Sequence, residues 1–165
     1  MPSENSAPMI HCDFPCIFTA SEKWHAGELN ALAVFCSDGR WDTAFDEFCH
    51  KWLRIGHGDR FAVPGGPAWL ARSDGESAAL YAAARGQIEF LVRAHDLRKV
   101  ALITHYGCGF YQHRLARDAE GCLPVQIDDL RRAAADMRRW FGGDVLIETY
   151  LGMRRNDIVT FHRVG

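Results

Sequence analysis

The sequence predicts an α/β fold: an open, mainly parallel β-sheet of about four to five strands flanked by helices. Two observations predict it. Residues 31–35 (Ala-Leu-Ala-Val-Phe) and 100–103 (Val-Ala-Leu-Ile) are unbroken apolar runs of strand length. Runs of this kind suit strands covered on both faces, as in a parallel sheet, rather than half-exposed ones. Segments of helical periodicity fall between the apolar runs, giving the order β-α-β-α-β-α-β-β, and alternation of that type builds an open sheet with helices on its faces.

At 165 residues the chain is most simply one domain. Residues 1–25 carry Pro2, Pro8 and Pro15 with little pattern, and are expected to form an N-terminal arm lying on the domain or on a neighbour. Residues 26–165 are expected to form a single α/β domain. A formal net charge of -2 gives no electrostatic case for nucleic acid or an anionic membrane. No apolar run reaches the ~20 residues that span a bilayer, and the polar first residues lack a signal-peptide pattern. A cytoplasmic location is the default expectation. The six cysteines are then thiols or metal ligands rather than disulfides.

The first strand is expected over about residues 32–36. Trp41, Phe45, Phe48, Cys49 and Trp52 follow at helical spacing, and Gly56 supplies a stop. Cys49 lies on that stripe and is read as core; Cys12, Cys16 and Cys122 are read as small buried side chains. Residues 60–63 form a short strand candidate, and Pro64-Gly65-Gly66-Pro67 a tight turn able to make an anion-binding nest. Ser73 and Glu76 fit a capping box opening a helix to about His95, with Leu80, Ala84, Ile88 and Leu91 as its buried stripe. Residues 100–104 form the second buried strand, and a short helix and loop follow over 110–119. Asp128 and Asp129 suit the N-terminal dipole of another helix, with Leu130, Ala133, Met137 and Trp140 inside and Gly142-Gly143 at its end. Residues 145–151 and 158–161 read as closing strands.

Both long strands end in the same chemistry. The first delivers Cys36, Asp38 and Arg40 at alternate positions; the second delivers His105 and Cys108 across a glycine-bearing turn. Ligands of open α/β sheets bind outside the carboxyl ends of strands where the strand order reverses. If the two strands are neighbours, residues 36, 105 and 108 converge. If the chain stays extended beyond Cys36, the period of two keeps Asp38 and Arg40 on the same side. Two thiolates and an imidazole suit Zn2+ held tetrahedrally, and three protein ligands leave a fourth position open. A water held there reaches a pKa of about 7 and supplies hydroxide at neutral pH. Asp38 can accept a hydrogen bond from that hydroxide or compete for the metal, while a bidentate pair with Arg40 keeps the position free.

At these residues the chain resembles the β-class carbonic anhydrases, whose signature is Cys-x-Asp-x-Arg on one strand end and His-x-x-Cys on another. Here it reads Cys36-Ser37-Asp38-Gly39-Arg40 and His105-Tyr106-Gly107-Cys108. The resemblance covers about residues 31–109. It implies zinc on Cys36, His105 and Cys108, an Asp38–Arg40 dyad as the catalytic pair, and reversible hydration of carbon dioxide to bicarbonate by zinc-bound hydroxide. It also implies a homodimer, or a dimer-based oligomer, with the arm exchanged. Where the family has an Arg-Asn-Ala-Gly segment, this chain has Ala62-Val63-Pro64-Gly65-Gly66, which keeps glycines and loses polar side chains. Alternative readings are hydrolysis of carbonyl sulfide or carbon disulfide on the same site, a non-catalytic zinc or bicarbonate-binding protein, and a thiolate nucleophile at Cys36 or Cys108 with His105 as base.

Overall fold

The structure, a computed structural model, describes residues 14–165; Cys12 lies outside them. Residues 14–30 contain no helix or strand. Five strands then form one sheet: β1 (Ala31–Cys36), β2 (Asp59–Val63), β3 (Lys99–His105), β4 (Leu146–Arg155) and β5 (Ile158–Arg163). Four helices accompany them: α1 (Asp42–Glu47), α2 (Ala78–Ala94), α3 (Gly109–Leu115) and α4 (Ala119–Phe141).

The sheet order is β2-β1-β3-β4-β5. The first four strands are parallel and β5 runs antiparallel at the edge. The expected α/β fold with a mainly parallel sheet is therefore present. The chain leaves β1 in one direction to β2 and later adds β3 on the other side, so the strand order reverses between β1 and β3. Leu32 pairs with Val100 and Val34 with Leu102 at that switch point. The two strand ends that carry the candidate ligands are neighbours.

Burial on both faces explains the unbroken apolar runs. Leu32, Val34, Val100 and Leu102 pack against α2 and α4 through Ile88, Leu130 and Met137. Ala33, Phe35, Ala101 and Ile103 face the other way, onto Trp41, Phe45 and Cys49. Alternate side chains of one strand thus enter two different cores.

Several expectations are corrected in detail. Trp52 is 71% exposed. The chain after α1 widens into a π-helical turn over Phe48–Trp52, which rotates that ring off the 3.6-residue stripe. The helix expected to open at Asp128 and Asp129 begins at Ala119, where the Asp118 side chain accepts the Gly121 amide at 2.7 Å. Asp129 is consequently interior to α4 and fully buried. A short 3-10 turn, Gly75–Ser77, precedes α2, and neither Asp74 nor Ser77 makes a side-chain cap. The left-handed conformation of Gly75 places the helix start beyond Ser73; the Glu76 side chain lies outside the described residues. Cys16 is exposed rather than buried.

Candidate metal centre

Cys36 is the last residue of β1 and is held there by its pairing with Val63 of β2, with the Ser37 amide still donating to Val63 O at 3.1 Å. The chain then turns rather than staying extended: the Trp41 amide donates to Asp38 O at 2.9 Å. That turn brings Arg40 back onto Asp38. Arg40 Nε donates to Asp38 Oδ1 at 2.8 Å and Nη2 to Oδ2 at 2.5 Å, and the Arg40 amide adds a bond to Oδ1 at 3.1 Å. The pairing is the fork-to-carboxylate geometry that guanidinium favours. The Arg40 hydrogen bond, against partial desolvation, holds the Asp38 carboxyl down at about 2, so it is an ionised acceptor at neutral pH.

His105 closes β3, and Gly107, in the left-handed region at φ 75°, turns the chain so that Cys108 caps α3. Ligand atoms of Cys36, His105 and Cys108 lie within 4.8 Å of one another, and all three residues are buried. The two sulfurs are 3.8 Å apart. A disulfide is ~2.05 Å, whereas two sulfurs at ~2.3 Å from one tetrahedral ion stand about 3.8 Å apart. His105 Nδ1 lies 3.1 Å from Tyr106 O, which fixes the proton on that nitrogen. Nε2 is then a lone-pair donor, buried and without a partner. Buried polar atoms are normally satisfied, and an imidazole oriented by a backbone carbonyl with its other nitrogen free is the arrangement of a metal ligand.

The electrostatics agree. The Cys36 thiol is pulled well below its ordinary range, chiefly by its hydrogen bond with the Cys108 sulfur; burial opposes the shift and the Gly65 amide, 3.3 Å away, supports it. Cys108 is pushed up in turn, because the proton stays between the two sulfurs. Replacing that shared proton with a divalent cation satisfies both thiolates and the orphaned imidazole together. Sulfur, nitrogen and sulfur donors at these separations fit a divalent metal of the zinc type.

The neighbourhood is completed by the Gly65-Gly66 turn, expected as an anion-binding nest, and by Trp41, Gln126 and Asp129, which the sequence pattern alone did not single out as site components. Gly65 lies at φ 81° and aims its amide at Cys36, and a Cβ on Gly66 would stand 2.6 Å from the Phe35 carbonyl carbon. The Gly-Gly turn is therefore a sulfur-facing nest with no room for side chains. Trp41 packs at a tilt of 40° against the His105 ring, centroids 4.6 Å apart, and covers Gly152, where a Cβ would meet the indole at 2.8 Å. Gln126, fully buried on α4, donates to His105 O at 2.9 Å and to Thr104 Oγ1 at 3.2 Å, fixing the end of β3. Asp129, one turn on, accepts from Arg114 at 2.7 Å and Tyr111 at 3.2 Å and pairs with Arg72 at 3.2 Å. It ties together α3, α4 and the segment after the Gly-Gly turn. Cys122, Gln126, Leu130 and Met137 recur at helical spacing, and a polar residue on such a buried stripe is the signal that could have found Gln126.

No protein-family model matches this chain. No curated protein matches it in sequence. Solved structures do match in fold. A β-carbonic anhydrase of Trichomonas vaginalis, isoform I, superposes with a TM-score of 0.55 at 13% identity, over 87% of this chain and 88% of that one. The β-carbonic anhydrase CafD of Aspergillus fumigatus gives 0.53 at 10% identity, over 87% and 94%. One of two tetrameric β-carbonic anhydrases of Sordaria macrospora gives 0.52 at 12% identity, over 82% and 81%. At these identities the likeness establishes the fold.

Proposed function

We propose that this chain is a β-class-like carbonic anhydrase that holds Zn2+ through Cys36, His105 and Cys108 and catalyses the reversible hydration of carbon dioxide. The observation that carries the reading is the buried cluster of two sulfurs and an unpartnered imidazole nitrogen at the switch point of the sheet. The three fold neighbours named above, each a β-carbonic anhydrase, support it. Zinc bound there supplies Lewis acidity that lowers the pKa of water to about 7.

The protein's own residues then have defined roles. Asp38 Oδ1 already accepts two hydrogen bonds from Arg40, while Oδ2 accepts one. Oδ2 therefore keeps a lone pair for the O–H of an attacking oxygen. Because Asp38 stays ionised, it accepts and does not donate, so it selects a nucleophile that carries a proton and orients its free lone pair. Arg40 pins the carboxylate and keeps it from taking the metal's fourth position. Trp41 and the Gly65–Gly66 turn exclude bulk water from the ligands. A second reading, hydrolysis of carbonyl sulfide or carbon disulfide, is favoured by the apolar wall: the Phe110 ring packs against Gly65 where polar side chains are absent.

The arm over residues 1–25 is proposed to be exchanged in a homodimer, with residues 26–165 as the zinc domain. Phe14, Ile17, Phe18 and Trp24 are each more than 80% exposed in the single chain, which supports a second copy as their cover. No helix among the described residues is long and apolar enough to cross a membrane. A cytoplasmic enzyme acting on a small molecule is the proposed setting.

One sample tests the function: metal analysis coupled to a stopped-flow pH-indicator assay of carbon dioxide hydration. One zinc per chain and a rate above buffer at pH near 8.5 are expected, that pH being an approximate choice above the water pKa. A zinc-loaded protein with no such rate overturns hydration, and sulfide release from carbonyl sulfide then decides the second reading. No turnover on either substrate leaves a non-catalytic zinc protein.

A further inference from the structure

Beside the metal cluster lies a cavity of about 260 Å³ lined by Arg40, Trp41, Tyr106, Gly107, Arg154 and Val159. Two cations from distant parts of the chain line it. Arg40 comes from the turn after β1 and Arg154 from the far end of β4. Their charges are not equally spent. Arg40 gives Nε–H and one Nη2–H to Asp38, leaving both hydrogens of Nη1 and the second of Nη2. Arg154 has no carboxylate partner among the described residues, and it is exposed. One carboxylate thus offsets two guanidinium groups, and the cavity carries net positive charge. Ala119, the first residue of α4, also lines it. The nearby Asp118 carboxylate is occupied by the Gly121 amide.

We propose that this cavity binds a small planar oxyanion, bicarbonate or a simple carboxylate, between Arg40 and Arg154. The chemistry selects that class. Guanidinium presents paired N–H groups in a plane and matches a two-oxygen edge, which a spherical halide cannot engage in the same way. The Trp41 and Val159 walls accept the apolar face or methyl group of such an ion. Tyr106 adds a hydroxyl able to donate or accept. The site differs from the metal's fourth position, since it needs neither sulfur nor the imidazole. Identifying bicarbonate as the natural occupant rests on the proposed hydration reaction; the oxyanion class does not. If bicarbonate is the product, the cavity is a station on its way out, and Arg154 is the residue that determines its capture.

The test uses the zinc-loaded full chain labelled with nitrogen-15. Acetate and bicarbonate are titrated at constant ionic strength, with chloride as the control, while the arginine Nε–H resonances are followed. The expected result is a saturable shift of the Arg154 and Arg40 signals with a Kd on the order of millimolar, as two exposed charge-assisted contacts imply. Arg154→Gln should weaken binding about ten-fold or more, because one of the two charged donors is gone, while zinc content is unchanged. Arg154→Lys should fall between the two, since it keeps the charge but not the fork. Tighter binding of bicarbonate supports the product station, and tighter binding of acetate supports a carboxylate ligand. An equal shift with chloride, no saturation with either oxyanion, or an unchanged Kd in Arg154→Gln overturns the proposal. Hydration measured on the same samples separates the two claims: saturable binding without turnover removes only the proposed reaction, and turnover without binding here removes only this site.

Discussion

Gly66→Ala is the perturbation with the most defined outcome. Gly66 sits at φ +52°, and a Cβ there would be 2.6 Å from the Phe35 carbonyl carbon and 2.8 Å from the Cys36 amide nitrogen. Both are backbone atoms of β1, which is locked between β2 and β3 and cannot yield as a flexible side chain would. The left-handed conformation costs an alanine about 1–2 kcal/mol, and forcing extra volume into a packed interior costs about 1–3 kcal/mol more. The sum is roughly 2–5 kcal/mol, which for a chain of this size lowers Tm by roughly 4–20 °C. Gly75→Ala is the matched control, because Gly75 also lies at positive φ, +56°, but has nothing within 4 Å of the added methyl. It should pay only the conformational part, about 1–2 kcal/mol. Paired thermal melts by circular dichroism give the ranking, and metal analysis gives a second readout. Gly66→Ala moves the adjacent Gly65 amide off the Cys36 sulfur and should weaken zinc binding by roughly 10–100-fold; Gly75→Ala should leave it intact. Equal Tm losses for the two variants, with zinc retained in both, would refute the view that the Gly-Gly turn positions Cys36.

Four further outcomes follow from the same structure. Cys36→Ser or His105→Ala should lose stoichiometric zinc on metal analysis, and chelator treatment of the unaltered protein should lower its Tm. Asp38→Asn should retain zinc but lower kcat/KM for carbon dioxide by roughly 10²-fold, because one carboxylate oxygen becomes an NH2 that can only donate; an unchanged rate would remove Asp38 from the mechanism. Gln126→Leu strips the donor from the His105 carbonyl and should cost about 1–3 kcal/mol in denaturant unfolding, with weaker zinc binding than in a surface control. Glu148 is held below the ordinary 4.5: burial opposes this, but the Lys99 and Arg163 contacts outweigh it. Its contribution is therefore complete above pH 4.5 and fades as the pH falls further, so Glu148→Gln should flatten the acid limb of the stability profile.

Much of the fold was legible because the main strands are buried on both faces and so read as unbroken apolar runs. Cys36, His105 and Cys108 could be named because thiol and imidazole residues at strand ends are conspicuous in any sequence. The start of the helix carrying Gln126 and Asp129, at Ala119, is not legible in the local sequence. Asp128-Asp129 looks like an acidic first turn, and only contact with Arg114, Arg72 and Tyr111 reveals Asp129 as an interior hub. Arg154 carries no local signal at all; it joins Arg40 at one cavity only because β4 lies beside β3.

The linear chain by itself determined the alternation of strands and helices, the donor atoms available at two strand ends, and the glycines between them. These are local properties, set by side-chain polarity and backbone freedom over a few residues. Tertiary structure decided that β1 and β3 are neighbours, that Nε2 rather than Nδ1 of His105 is left free, and that the Gly65 amide, Trp41 and Gln126 surround the cluster. Those facts depend on which distant segments pack together, and packing is a sum over the whole core that no single stretch encodes.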